Sequence, residues 1–266
     1  MRVAIAQFGP TTDTTANLAA IDRLTAHAAA DSADVIVFPE EAMLSVDGLD
    51  HRLSELVDLQ WPLFEAHLSG LAASHDIAII AGGYEPNGTS RPNNTLVAVD
   101  SGGDILTRYR KLHLYDAFAY RESDYVTPGP TLPPVVDLAG LRIGLVNCYD
   151  LRFPELTRHL ISQGAELISV SAAWMSGHRK ADHWETLVRA RAIENTVWVA
   201  AAGTISSACI GDSLVVDPLG VVKAALGDEP EAVVTVEIST ARTQAVRTVL
   251  PALDNRRIEL TMTVTS

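Results

Sequence analysis

The chain has 266 residues, 47% hydrophobic and 20% charged, with a formal net charge of −13. That is enough material for a substantial core and excludes a disordered, collagen-like or low-complexity chain; the acidic balance, with no run of Lys and Arg, argues against nucleic acid as a partner. Two cysteines exclude a disulfide scaffold, no Cys-x-x-Cys pair suggests structural zinc, and no apolar stretch is long enough to cross a bilayer, so we expect no metal or other cofactor, no membrane and a cytoplasmic setting.

The opening MRVAIAQFGP is too short for a signal peptide and predicts a strand over Arg2–Gln7. Thr14–Ala30, rich in Ala and Leu, predicts a helix, and Val35–Phe38 a short buried strand. Leu53–Ser74 predicts a long helix interrupted near Pro62. Ile77–Ala81 predicts a buried strand ending at Gly82-Gly83. Asn94–Val99 and Asp104–Arg110 flank Ser101-Gly102-Gly103, a hairpin signal. Residues 115–134 hold four prolines and no periodicity, which predicts a long ordered loop of the kind that carries function.

The same order then recurs. Ile143–Asn147 predicts a strand, Pro154–Gln163 a helix and Glu166–Val170 a strand. Ala181–Glu194 predicts a helix and Val197–Ala201 a strand. Ser213–Asp217 and Val221–Ala225 flank the turn signal Pro218-Leu219-Gly220, and Ala232–Glu237 predicts a last strand. Two halves of similar grammar with no linker between them predict one α/β domain over 1–266: an internal pseudo-two-fold repeat, layered, with mixed sheets inside and helices outside.

Three apolar strands end in a reactive polar residue. VIVFPEE delivers Glu40, TRYRKLHLYD delivers Lys111, and IGLVNCYD delivers Cys148. Ligand sites in α/β proteins lie outside strand ends, so the three are candidates to converge. A thiol becomes a strong nucleophile on losing its proton; a carboxylate takes that proton, and an ammonium favours the thiolate and stabilises an oxyanion. Singly, each has a plain reading: a structural cysteine, a solvated strand end, a surface lysine beside Arg108 and Arg110. Together they describe an acyl-transfer site without metal or histidine.

These residues are similar to those of the nitrilase superfamily of carbon–nitrogen hydrolases, along nearly the whole chain. VFPE at 37–40 resembles that family's glutamate segment, YRKLHLYD at 109–116 its lysine motif and NCYDLRFPE at 147–155 its cysteine motif. RESDYVTPG at 121–129, HWETLVRARAIEN at 183–195 and GDSLVVDPLG at 211–220 agree. The resemblance implies a four-layer α-β-β-α sandwich and a homodimer or larger homo-oligomer. It implies that Cys148 attacks an amide carbonyl, that Glu40 is general base, that Lys111 and the backbone N–H of Tyr149 stabilise the oxyanion, and that Glu122 positions Lys111 or substrate. CYDLRFPE resembles the Nit and omega-amidase-like branch, which hydrolyses small carboxylate-bearing amides to acid and ammonia through a thioester. An N-carbamoyl amine or amino acid hydrolase is the alternative. Ser171, where relatives often carry Pro, the insertion His178-Arg179-Lys180, and ISSACIGDS at 205–213 depart from the family pattern and bear on substrate.

Several residues have two readings. Strand alternation is expected to send Glu41 to the face opposite Glu40. Arg152 suits a substrate carboxylate, but an ion pair with Asp150 or Glu155 is the favoured reading. Trp174 either closes the pocket over substrate or belongs to the core. Arg179 and Lys180 are expected to be solvated charge. His113 is expected to order its loop, Cys209 to be a packed thiol, and Glu185 with Arg189 to form an i,i+4 ion pair.

Overall fold

The computed structural model describes all residues except 48, 50–52, 259, 260 and 266. In chain order the elements are β1 (Arg2–Phe8), α1 (Thr14–Ala30), β2 (Val35–Val37), α2 (Leu53–His75), β3 (Ala78–Glu85), β4 (Asn93–Val99) and β5 (Ile105–Arg110). A two-strand hairpin of β6 (Asp116–Ala117) and β7 (Tyr120–Arg121) follows, then β8 (Val135–Leu138), β9 (Leu141–Asn147), α3 (Pro154–Ser162) and β10 (Leu167–Ala172). The chain continues through α4 (Lys180–Asn195), β11 (Trp198–Gly203), β12 (Leu214–Val216), β13 (Val222–Ala225), β14 (Glu231–Glu237) and α5 (Thr240–Val249).

The strands form two six-stranded sheets, ordered β14-β1-β2-β3-β4-β5 and β8-β9-β10-β11-β12-β13. In each, an antiparallel edge strand is followed by three parallel strands and then two antiparallel ones. The repeat legible in the sequence is therefore a repeat of sheet topology. Alternation builds the layers, because successive strand residues face opposite ways. In β1, Val3 and Ile5 join Leu145, Leu167 and Ala200 between the sheets, while Ala4, Ala6 and Phe8 pack under α1 and α2. A third cluster seals α3 and α4 against the second sheet through Leu160, Trp184, Val188 and Val199. The result is an α-β-β-α sandwich. Each Leu, Ile or Val sealed in these layers contributes about 1.5–3 kcal/mol relative to exposure.

Three expectations need correction. The helix α2 is not interrupted at Pro62. Its apolar stripe, Leu53, Val57, Trp61, Phe64, Leu68 and Ala72, stays in register and buried, while Pro62 lies on the exposed side of the helix together with Asp58, whose carbonyl loses its N–H partner. The strand β3 does not stop before Gly82-Gly83 but runs through both. A Cβ on Gly82 would lie 2.0 Å from the Glu40 carbonyl oxygen, so the glycine is there to let the segment carrying Glu40 lie flat on β3. Within 115–134 the chain folds as the small hairpin and a helical turn over Glu122–Asp124 rather than as an irregular loop throughout.

Two elements carry little signal in the sequence. The strand β8 pairs with β9 across a two-residue turn, Ala139-Gly140, both at positive φ, and the Ala-Gly signal is weak beside Asn-Gly. The helix α5 is capped by Ser239, whose side chain accepts the Arg242 N–H, but its apolar face is short.

Candidate active site

The three strand ends meet at one end of the sandwich. Past β2 the chain turns through Pro39 to Glu40, held by hydrogen bonds from the Gly82 N–H to the Pro39 carbonyl and from the Met43 N–H to the Gly82 carbonyl. Lys111 directly follows β5, with its N–H bonded to the Asn94 carbonyl and its own carbonyl to the Gly129 N–H. Cys148 follows β9 at φ +46° and opens a short helical turn. That strained conformation of a non-glycine residue aims the side chain away from the strand direction.

The turn is fastened from below. Asp150 is fully buried and accepts from the Tyr109 hydroxyl at 2.7 Å, the His113 N–H at 3.0 Å and His113 Nδ1 at 2.8 Å. His113 stacks on Phe153 with ring centroids 3.6 Å apart, so it orders the loop as expected. Arg191 donates twice to the Leu151 carbonyl.

Glu40, Lys111 and Glu122 form one buried cluster. Lys111 Nζ donates to Glu40 Oε1 at 2.7 Å and to Glu122 Oε2 at 2.8 Å, with all three residues at most 4% exposed. Asn94 Nδ2 donates to both carboxylates at 2.7 and 2.9 Å, and Asn147, the residue before Cys148, donates to Asn94 Oδ1. The Ala173 N–H reaches Glu40 Oε2 at 2.8 Å, and the Tyr115 N–H donates to Glu122 Oε2. Asn94 was not singled out in the sequence; the signal was an Asn pair opening an otherwise apolar buried strand.

The electrostatics follow from this count of charges. Burial pushes the Glu40 carboxyl up, but Lys111 and the Ala173 N–H outweigh it and hold it below its ordinary value. Burial pushes the Lys111 ammonium down, but Glu122 and Glu40 outweigh it and hold it well above. Burial and then the adjacent Glu40 charge push the Cys148 thiol well above its ordinary range, and Lys111 only partly opposes them. The ammonium does favour the thiolate, as expected, but burial and the carboxylates outweigh it. Two carboxylates against one ammonium leave the cluster net negative, so at rest the proton stays on sulfur.

A cavity of about 660 Å³, counting its open mouth, lies over this cluster. Cys148, Tyr149, Arg152 and Trp174 line it, and so do residues expected elsewhere. Glu41 is not on the opposite face: the strand has ended at Val37, alternation no longer applies, and Glu41 lines the same cavity, accepting from the Tyr84 hydroxyl at 3.0 Å. Burial and the Glu40 charge push its carboxyl up to about 8. Arg152 makes no ion pair with Asp150 or Glu155 among the described residues; Asp150 is already satisfied, and the guanidinium lies over the Trp174 ring at 4.6 Å. Trp174 serves both readings, packed on Trp184 and facing the cavity.

Arg179 is exposed and paired with Asp182, as solvated charge should be, but Lys180 is only 5% exposed and lines the cavity. Cys209 is a buried thiol, pushed up to about 12 by burial, and also reaches the cavity wall. Glu185 and Arg189 pair at 3.2 Å. Among the described residues no three His, Cys, Asp or Glu side chains are grouped to hold a metal ion, and no helix is long and apolar enough to cross a membrane.

Comparison with known proteins places this geometry in context. The family model described as carbon–nitrogen hydrolase matches residues 2–248. A deaminated glutathione amidase of Escherichia coli O157:H7 is 39% identical over 97% of this chain and 97% of that protein. A 2-oxoglutaramate amidase of Bacillus subtilis strain 168 is 35% identical over 86% of each. An amidase from Nesterenkonia sp. AN1, solved with the acetamide moiety of fluoroacetamide added covalently at its active-site cysteine, superposes with a TM-score of 0.83 at 27% identity, covering 97% of this chain and 94% of that one.

Proposed function

We infer, from the premise that this chain belongs to the carbon–nitrogen hydrolase family and hydrolyses amides, that Cys148, Glu40 and Lys111 carry the reaction and that the substrate is a small carboxylate-bearing amide. The observation that carries the assignment is the single Lys111 ammonium bonded to two buried carboxylates within a cavity that Cys148 lines. The carboxylate on the substrate is supported by Arg152 on the cavity wall, which has no ion-pair partner among the described residues, and by the substrates named for the relatives of E. coli and B. subtilis.

In this reading Cys148 Sγ attacks the amide carbon as its proton passes to the ionised Glu40. Negative charge develops on the amide oxygen beside Lys111 and the Tyr149 backbone N–H, which makes proton loss by a reluctant thiol favourable only as the bond forms. The C–N bond then breaks, Glu40 returns the proton to nitrogen and ammonia leaves. Water, giving a proton to Glu40, attacks the thioester carbon; the C–S bond breaks, and the sulfur recovers its proton as the acid departs. Glu122, accepting from Lys111, Asn94 and the Tyr115 N–H, is the positioning residue for the ammonium. We further propose that residues 1–266 act as one carbon–nitrogen hydrolase domain, in the cytoplasm, as a homodimer or larger assembly. The exposed Val221, Val249 and Ile258 support the last point.

Ammonia release from glutaramate, 2-oxoglutaramate, N-carbamoyl-β-alanine and a neutral amide tests the reading beside Cys148→Ala. The variant is expected to lose turnover by roughly 10⁴-fold or more with its circular dichroism intact. Wild-type rates in Cys148→Ala would refute the nucleophile, and turnover of carbamoyl compounds alone would replace the substrate class.

A further inference from the structure

Two cations on the cavity wall lack an anion. Arg152 lines the cavity and has no carboxylate within ion-pair distance among the described residues, and its Nε and Nη2 have no hydrogen-bond partner there, a costly state for a guanidinium. Its Cζ lies 4.6 Å from the Trp174 ring and 5.9 Å from that of Tyr149. Lys180, the first residue of α4, has its Nζ on the Tyr115 hydroxyl at 2.6 Å and over the Phe118 ring at 3.6 Å, with no carboxylate within ion-pair distance among the described residues. One ring holds the two cations in register. Trp174 carries Arg152 on its face and donates its Nε1–H to the Lys180 carbonyl at 2.9 Å.

In a chain of net charge −13, two unneutralised cations facing one cavity are not the chance product of a basic surface. Burial, and then the charge of Arg152, disfavour the Lys180 ammonium, so the free protein holds like charges together at a cost that an anion would relieve. The acidic residues of the cavity lie elsewhere: Glu41 is grouped with Asp47 and Tyr84, and Glu40 and Glu122 are held by Lys111.

We propose that Lys180 is a specificity-determining residue that completes, with Arg152, a two-cation subsite for the anionic end of the substrate. Arg152, on the cavity wall, takes the carboxylate through its guanidinium N–H donors, and Lys180 adds a point charge to the same group in place of its bond to Tyr115. This rests on the amide-hydrolase reading above and deepens it: the acyl part must carry a carboxylate at the end remote from the scissile bond.

The test compares glutaramate with pentanamide, a neutral amide of similar length, in wild type, Lys180→Met and Lys180→Arg. Lys180→Met is expected to lower the ratio of kcat/KM for glutaramate to that for pentanamide by about tenfold or more, mainly through KM, and Lys180→Arg to restore most of it. An equal loss on both amides, or no loss on glutaramate, overturns the proposal. Lys180→Gln replaces Lys180→Met if that variant fails to fold. If wild type turns over neither amide, the functional reading has failed on its own. Calorimetric binding of glutarate then decides the subsite: at least tenfold weaker binding in the variant supports it, and equal or undetectable binding by wild type overturns it.

Discussion

The chain leaving β2 and the chain leaving β10 hold matching places in the two sheets, yet they are filled in opposite ways. Past β2 come Pro39, Glu40 and Glu41, two carboxyl side chains each under a tenth exposed. Past β10 come Ala173 and Trp174, and what Ala173 contributes is a backbone N–H to Glu40 Oε2. The other strand ends follow the same division. The first half supplies Lys111 and Glu122, and the second supplies the Cys148 thiol and the cations at Arg152 and Lys180. A repeated topology thus provides two sets of strand ends at one rim: the first half balances its own charges through Lys111, and the second half covers them, adds the Ala173 N–H to Glu40 and the Asn147 amide to Asn94, and brings the thiol. The site belongs to the contact between halves rather than to either.

Removing the cation that balances the first half should break this arrangement most. Lys111→Met leaves Glu40 and Glu122 buried without a counter-charge, and stability should fall by about 3–5 kcal/mol with turnover lost. Urea unfolding and ammonia release measure the two, and wild-type stability would mean that the cluster is not held by charge. A paired substitution sharpens the comparison. A Cβ on Gly82 would lie 2.0 Å from the Glu40 carbonyl oxygen, and one on Gly203 would lie 2.2 Å from the Gly211 carbonyl oxygen in the other half. Each alanine should cost about 1–3 kcal/mol of stability, but Gly82→Ala should depress kcat far more, because only its neighbour carries the general base. Equal kinetic losses would erase the distinction.

The subtlest contrast lies within the first half, between Glu40 and Glu41. Glu40 is held below its ordinary value and Glu41 is raised to about 8. A raised carboxyl binds its proton more tightly when folded, so its contribution to stability is full below about pH 4.5 and is lost as pH rises through about 8. Wild type should therefore lose melting temperature between pH 6 and 9 relative to Glu41→Gln. Parallel melting curves for the two would show that Glu41 does not titrate there.

The alternation of apolar strands and helices, the hairpin turns and the three strand ends were readable because they depend on local pattern: period 2, period 3.6, and a polar residue closing an apolar run. Alternation does not predict the side of Glu41, because the strand before it is only three residues long and ends at Val37. Asp150 is a sequence neighbour of Arg152, but Tyr109 and His113, about forty positions away, occupy that carboxylate. Lys180 read as solvated because its neighbours are His178 and Arg179, while its cover comes from Tyr115 and Phe118 on another part of the chain.

By itself the sequence determined which residue types end which strands, since a chain can bury Val-Ile-Val or Ile-Gly-Leu-Val in the middle of a sheet only by placing the polar residues that follow beyond the strand end. Only the tertiary structure decided which charges neutralise one another and which remain free. That outcome depends on distances of a few ångströms between segments remote in sequence, and on a desolvation that no residue carries until the two sheets close.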